Sequence, residues 1–147
     1  MNQKKLTWVR VIAIDMLMLC FSMSISLQGQ LFSSIKEAYG LSLSQGGLLL
    51  SVQSVGGTLL SVVCILFITV LNKTKLLVTS GLMLCVLLML VGVLPPLALM
   101  FIVFAALGFS GSAINTLTNS AMVDTVPQKA ERYINFMHML FSFGSVI

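Results

Sequence analysis

Asp15 is the only acidic residue inside any apolar stretch of this chain, and His138 is its only histidine. A carboxyl and an imidazole are the side chains that most readily exchange a proton near neutral pH when burial or a neighbour presses on them. An acid within an apolar helix is a candidate proton carrier. Asp15 lies five residues past Arg10 and His138 six past Arg132, which puts both roughly 8 to 9 Å inside the same boundary. That matching depth predicts a pairing between the first and last helices, holding a proton or locking one conformation. The alternatives are that Asp15 sits near the headgroups with a base beside it, and that His138 is a hydrogen-bonded packing residue.

Amides come next. Gln53 falls near the middle of the second apolar run, and Asn115 and Asn119 share a stripe of the fourth with Gly108, Gly111 and Ser112. An amide offers both a donor and an acceptor, so these three residues are candidates to contact a sugar-like or otherwise hydroxylated solute. Their other reading is hydrogen bonding between helices. Around Asp15, Ser22, Ser26 and Gln30 fall within about 60°, giving the first helix a polar stripe. Asn135, His138, Ser142 and Ser145 share one face of the last. Small residues on the second run, Gly46, Gly56, Gly57, Ser61 and Cys64, together with Gly108, Gly111 and Gly144, read as positions of close helix packing.

These residues need apolar elements to hold them, and the composition supplies little else. The 147 residues are 58% hydrophobic and 8% charged, against about a quarter charged in an average soluble domain. A chain with so few charged residues cannot build a water-facing shell, so a lipid bilayer must surround it. The expected fold is all-α, with membrane spans over 11–28, 46–71, 76–94 and 97–118 and the start of a fifth over 134–147. Asp15 costs the first span about 3 kcal/mol on insertion scales, and its eight large apolar residues return roughly 4. The second run is longer than the roughly 30 Å hydrocarbon core and must tilt or protrude. Gln28 to Gln45 and Asn72 to Lys75 read as polar connections, Pro95 and Pro96 as a break, and Asp124 to Arg132 as a charged loop. The last run stops after about 14 residues where about 20 are needed, so the chain is expected to be a fragment or a truncated product.

The basic residues set the orientation. With the amino terminus in the cytosol, Lys4, Lys5, Arg10, Lys73, Lys75, Lys129 and Arg132 lie inside and only Lys36 outside. Trp8 and Tyr133 then fall at the inner ends of spans one and five and Tyr39 at the outer side, as interfacial aromatics do. The single and paired placing of the bases at helix ends excludes a nucleic-acid patch. Cys20, Cys64 and Cys85 show no metal or disulfide spacing and read as packing residues. With no glycine-rich nucleotide loop, no nucleophile beside a base and no metal cluster, neither an enzyme nor a cofactor is expected.

Several motifs resemble the amino-terminal half of a major facilitator superfamily transporter. They are Leu-Ser-Leu-Ser-Gln-Gly-Gly before span two, a basic turn after it, and Gly-Phe-Ser-Gly-Ser-Ala-Ile-Asn from Gly108. Asn119, Asp124, Pro127, Arg132, Asn135-Phe-Met-His138, Phe141 and Gly144 follow, and this last part is similar to the fucose permease-like branch. The family's usual Gly-x-x-x-Asp-Arg-x-Gly-Arg-Arg loop is replaced here by Leu66, Val70, Leu71, Lys73, Thr74 and Lys75, and the acid the branch favours in span four is missing.

The resemblance implies a twelve-helix carrier of two six-helix bundles, with a small polar solute bound near the midplane and alternating access from either side. This chain would supply part of the first bundle, with the carboxy-terminal half of the transporter and protons as further partners, in a bacterial plasma membrane. One bundle cannot enclose a solute, so no transport is expected from the 147 residues alone. Two other readings fit part of the pattern. A small multidrug-type exporter also has an acid in helix one, but it lacks a fifth apolar start and tolerates weak charge bias. A non-transporting membrane scaffold would use Asp15 and the amides for packing only.

Overall fold

The computed structural model describes residues 3–67 and 72–146. Among the described residues five α-helices follow one another: α1 (Gln3–Ala38), α2 (Leu43–Phe67), α3 (Lys73–Gly92), α4 (Leu97–Thr125) and α5 (Ala130–Gly144), with a 3-10 turn at Pro127–Lys129 before the last. No strand occurs among the described residues, so the all-α expectation holds. Helices α1 to α4 are each long and apolar enough to cross a membrane. Large apolar side chains such as Leu66, Leu82, Met89 and Ile102 stand on their outer faces at 64 to 73% exposure. Such surface is costly in water and is what lipid would cover.

The helix ends follow from local chemistry. The segment from Gln28 to Ala38, expected as a connection, is helical, because it contains no proline and its one glycine, Gly29, is tolerated within the helix. The helix stops at Gly40, whose φ of 60° continues no right-handed turn. There the Gly40 N–H donates to Glu37 O at 3.0 Å and the Leu41 N–H to Lys36 O at 2.8 Å, the paired bonds of a Schellman terminus. Ser42 and Gln45 then open α2 as a reciprocal capping box, each backbone N–H donating to the other's side chain at 2.9 and 3.3 Å. Asn72 caps α3 by accepting from the Lys75 N–H at 3.1 Å, so the Asn72 to Lys75 stretch is mostly first turn rather than loop. At the far end of α3, Leu94 takes a φ of 53° just before Pro95 and Pro96.

The chain divides into two compact units, one of Met1–Gly29 with Leu117–Ile147 and the other of Gln30–Thr116. In the first, Val11, Ile14, Met18, Phe21, Met122 and Met137 are buried. In the second, Leu49, Leu60, Leu84, Met100, Phe104 and Ile114 form the core. Residues 68–71 of the expected second span, including Val70 and Leu71, the side chain of Cys64, and Ile147 lie outside the described residues. Cys20 and Cys85 are exposed, which corrects their reading as packing residues: each sits on the outer face of its helix.

Candidate functional site

The polar side chains of the first unit are positioned by three contacts between α1 and α5. Trp8 and Tyr133 meet edge to face with ring centroids 6.1 Å apart, and Phe21 and Phe141 lie 5.9 Å apart. Further along, Gly144 packs on Ser22 and Leu19, so closely that a methyl group there would overlap the Ser22 hydroxyl and stand 2.9 Å from Leu19 Cδ1. Residue numbers rise together along both helices through these contacts, so α1 and α5 run parallel. Asp15 lies midway between Trp8 and Ser22, and His138 lies close to midway between Tyr133 and Gly144. Their depths therefore match within about one helical turn.

They do not pair. Nε2 of His138 lies 3.2 Å from Oδ1 of Asn119 on α4, and the ring is exposed. Asp15 is 5% exposed, and its Oδ1 is buried with no hydrogen-bond partner among the described residues. The predicted Asp15–His138 pair is thus replaced by a His138–Asn119 pair and a carboxyl set apart. The physical reason is side-chain direction. Asp15 lies on the buried stripe of α1 with Val11, Met18 and Ser22, while the buried stripe of α5 passes through Met137, and His138 points about 100° away from it.

Two buried hydroxyls of the first unit have partners of their own. Ser22 is fully buried and donates to Leu19 O at 2.8 Å, so this part of the Asp15 stripe is spent on its own helix. Thr118, also fully buried, reaches the Met18 sulfur at 3.8 Å, and it fixes α4 immediately before Asn119.

In the second unit several glycines lie against a neighbouring helix. The Cα of Gly108 meets the Gln53 backbone, where an added Cβ would overlap the carbonyl oxygen and stand 2.8 Å from its carbon and 3.0 Å from Gly57 N. Gly56 faces Ala105, with 3.1 Å left between an added Cβ and the Ala105 Cα. Gly57 faces Gly108 and Ser112, and the Ser61 and Ser112 hydroxyls hydrogen-bond. Gly111 is buried. Gly46 faces the Phe32 ring, with 3.1 Å left for an added Cβ. These contacts again rise together, so α2 and α4 run parallel along a glycine seam. Of the candidate solute contacts, half-buried Gln53 lies on that seam, Asn115 is exposed one turn beyond Gly111 in the same unit, and Asn119 belongs to the first unit.

One tie in this unit was not visible in the sequence. The Tyr39 hydroxyl donates to the Pro95 carbonyl, fastening the end of α1 to the turn between α3 and α4. Burial pushes the Tyr39 hydroxyl above its ordinary value, so it remains a donor at neutral pH. The signal for this contact was the interfacial Tyr facing a proline pair, a combination with no fixed spacing.

An all-helical chain with four membrane-length apolar helices and a buried carboxyl fits many transport families, so the family comparison decides among them. The model of the Major Facilitator Superfamily matches residues 14–147. The chain belongs to the major facilitator superfamily. It is therefore a membrane transporter, integral and multi-pass, of a family that carries small solutes across the bilayer. No curated protein and no solved structure gives a significant match. The match includes Asp15, the glycine seam and the His138–Asn119 pair, so every candidate residue belongs to the part of the chain that the superfamily covers.

Proposed function

We propose that this transporter moves a small polar solute, sugar-like in its hydroxyl groups, together with a proton by alternating access. In this reading Asp15 carries the proton, and Gln53, Asn115 and Asn119 contact the solute. The amino terminus and basic connectors face the cytosol of a bacterial cell, and a second bundle, from the carboxy-terminal half of the carrier, closes the other side of the pathway. The similarity to the fucose permease-like branch favours a sugar over other polar solutes, and secondary symport over export.

The observation that carries the proposal is the Asp15 carboxyl, buried in an apolar helix with one oxygen unpartnered. A buried charge without a partner is so costly that the group is expected to change protonation state as its surroundings change. Packing alone would favour an apolar residue at that position, so its presence points to use. Amides rather than charges at the solute positions suit a neutral hydroxylated substrate.

The test is hexose uptake by the complete carrier in proteoliposomes with an imposed pH gradient. The expected result is accumulation driven by the gradient in the native protein. Asp15→Asn should still exchange sugar at equal concentration but no longer accumulate it. Native uptake that ignores the pH gradient would remove the coupling, and uptake of other solutes in place of hexoses would move the substrate class.

A further inference from the structure

One end of the first unit gathers positive charge around an open space. Residues Pro127 to Arg132 line a cavity of about 370 Å³, with Lys129, Glu131 and Arg132 on its wall. Tyr133, the next residue, meets Trp8 edge to face, and α1 and α5 run parallel through that contact. Lys5 precedes Trp8 by three residues and Lys129 precedes Tyr133 by four. Both therefore stand about one turn beyond the ring pair, at the same end of the unit.

Helix rotation puts these bases on one flank. At 100° per residue Lys5 lies about 60° from Trp8, turned away from the buried stripe through Val11 and Met18. Arg132 lies about 100° from Tyr133, turned away from buried Met137. The two turns are of opposite sense, and in parallel helices that face each other opposite turns open onto the same side. Lys5, Lys129 and Arg132 are all exposed there. Arg10, five residues past Lys5, is turned about 140° from it and faces elsewhere. Lys4 and Asp124 have interactions of their own, so the charge offered to a ligand is that of three bases against Glu131.

Bases one turn beyond a Trp–Tyr pair match the layering of a membrane surface, where aromatic rings sit at headgroup level and cations meet the lipid phosphates. Trp8 is 56% exposed, so much of its ring is open to a neighbouring lipid. We propose that this flank holds the phosphate of an anionic phospholipid, with Lys5, Lys129 and Arg132 on the phosphate and Trp8 against the glycerol end of its chains. A soluble phosphate offers the same charge, but it has no apolar part to set against the ring. The inference rests on the membrane character of the chain, not on the solute or the proton coupling proposed above.

Trp8 is the only tryptophan, so its fluorescence reports on this position alone. The chain is reconstituted in phosphatidylcholine vesicles with a small share of phosphatidylglycerol, and one lipid or the other carries bromine near the glycerol end of its chains. Per molecule, brominated phosphatidylglycerol should quench Trp8 about five times as effectively as brominated phosphatidylcholine, or more. Lys5→Gln should lower that preference, and adding Lys129→Gln should bring the two lipids close to equality. Arg10→Gln removes the same charge from the same end of α1 and should leave the preference unchanged.

Equal quenching by the two lipids in the native chain would overturn the site and leave this flank to another part of the carrier. A preference that Arg10→Gln lowers as much as Lys5→Gln would overturn it too, by reducing it to diffuse surface charge. Loss of the preference on adding glycerol phosphate to the buffer would assign the anion to solution rather than to lipid. Should a variant fail to insert, the native chain still decides, because the comparison of the two lipids needs no substitution.

Discussion

The two units of this chain both use close glycine contacts between helices, and they differ in the polar side chains they place beside them. In the second, α2 and α4 approach through missing side chains: Gly56, Gly57 and Gly108 let backbone rest on backbone. In the first, Thr118 of α4 reaches Met18 of α1, Asn119 of α4 meets His138 of α5, two aromatic pairs join α1 to α5, and the Asp15 carboxyl is buried. In lipid there is no hydrophobic drive between helices, so close packing is the cheaper way to hold them together. A region that instead buries a carboxyl gives up stability, and under the proposed function it is the region that carries the proton.

Substitutions sharpen that contrast. The largest effect should come from Gly108→Leu, because nothing at the Gln53 backbone can yield. We expect a loss of about 3 kcal/mol or more, seen as failure to recover folded protein from detergent. Asp15→Leu should act in the opposite direction. Removing an acid from the apolar helix should stabilise it by about 2 to 3 kcal/mol on insertion scales, measured by reversible unfolding in bicelles, while abolishing sugar accumulation. A destabilised Asp15→Leu would break the contrast, since it would make the carboxyl structural.

Smaller changes test the joints. Gly144→Ala should cost about 1 to 2 kcal/mol by pressing on Ser22 and Leu19, and Ser22→Ala in the same protein should recover part of it in a double-mutant cycle. Tyr39→Phe removes only the donor to Pro95 and should cost about 1 kcal/mol, with faster hydrogen exchange at the turn before α4. Asn72→Ala should cost a similar or smaller amount by uncapping α3.

Much of the architecture was legible because lipid imposes simple rules. The apolar runs, the proline pair and the basic connectors mark five helices, and the glycine seam is written as Gly56-Gly57 and Gly108. The extension of α1 to Ala38 was hidden because polar residues such as Gln28 and Gln30 read as loop, yet their helix propensity is ample and only Gly40 ends the run. Depth was legible for Asp15 and His138, since rise per residue is fixed. Their pairing was not, because it depends on how each helix is rotated about its axis. That rotation shows in the buried Met18 and Ser22, which meet Thr118 and Gly144 far along the chain.

The proposed symport requires Asp15 to take up and release a proton during transport, and the direct measurement is proton movement itself. Sugar added outside proteoliposomes of the complete carrier, with a pH dye trapped inside, should acidify the lumen in the native protein and leave it unchanged in Asp15→Asn, which still exchanges labelled sugar. Equal acidification by both would show that the proton travels by another route.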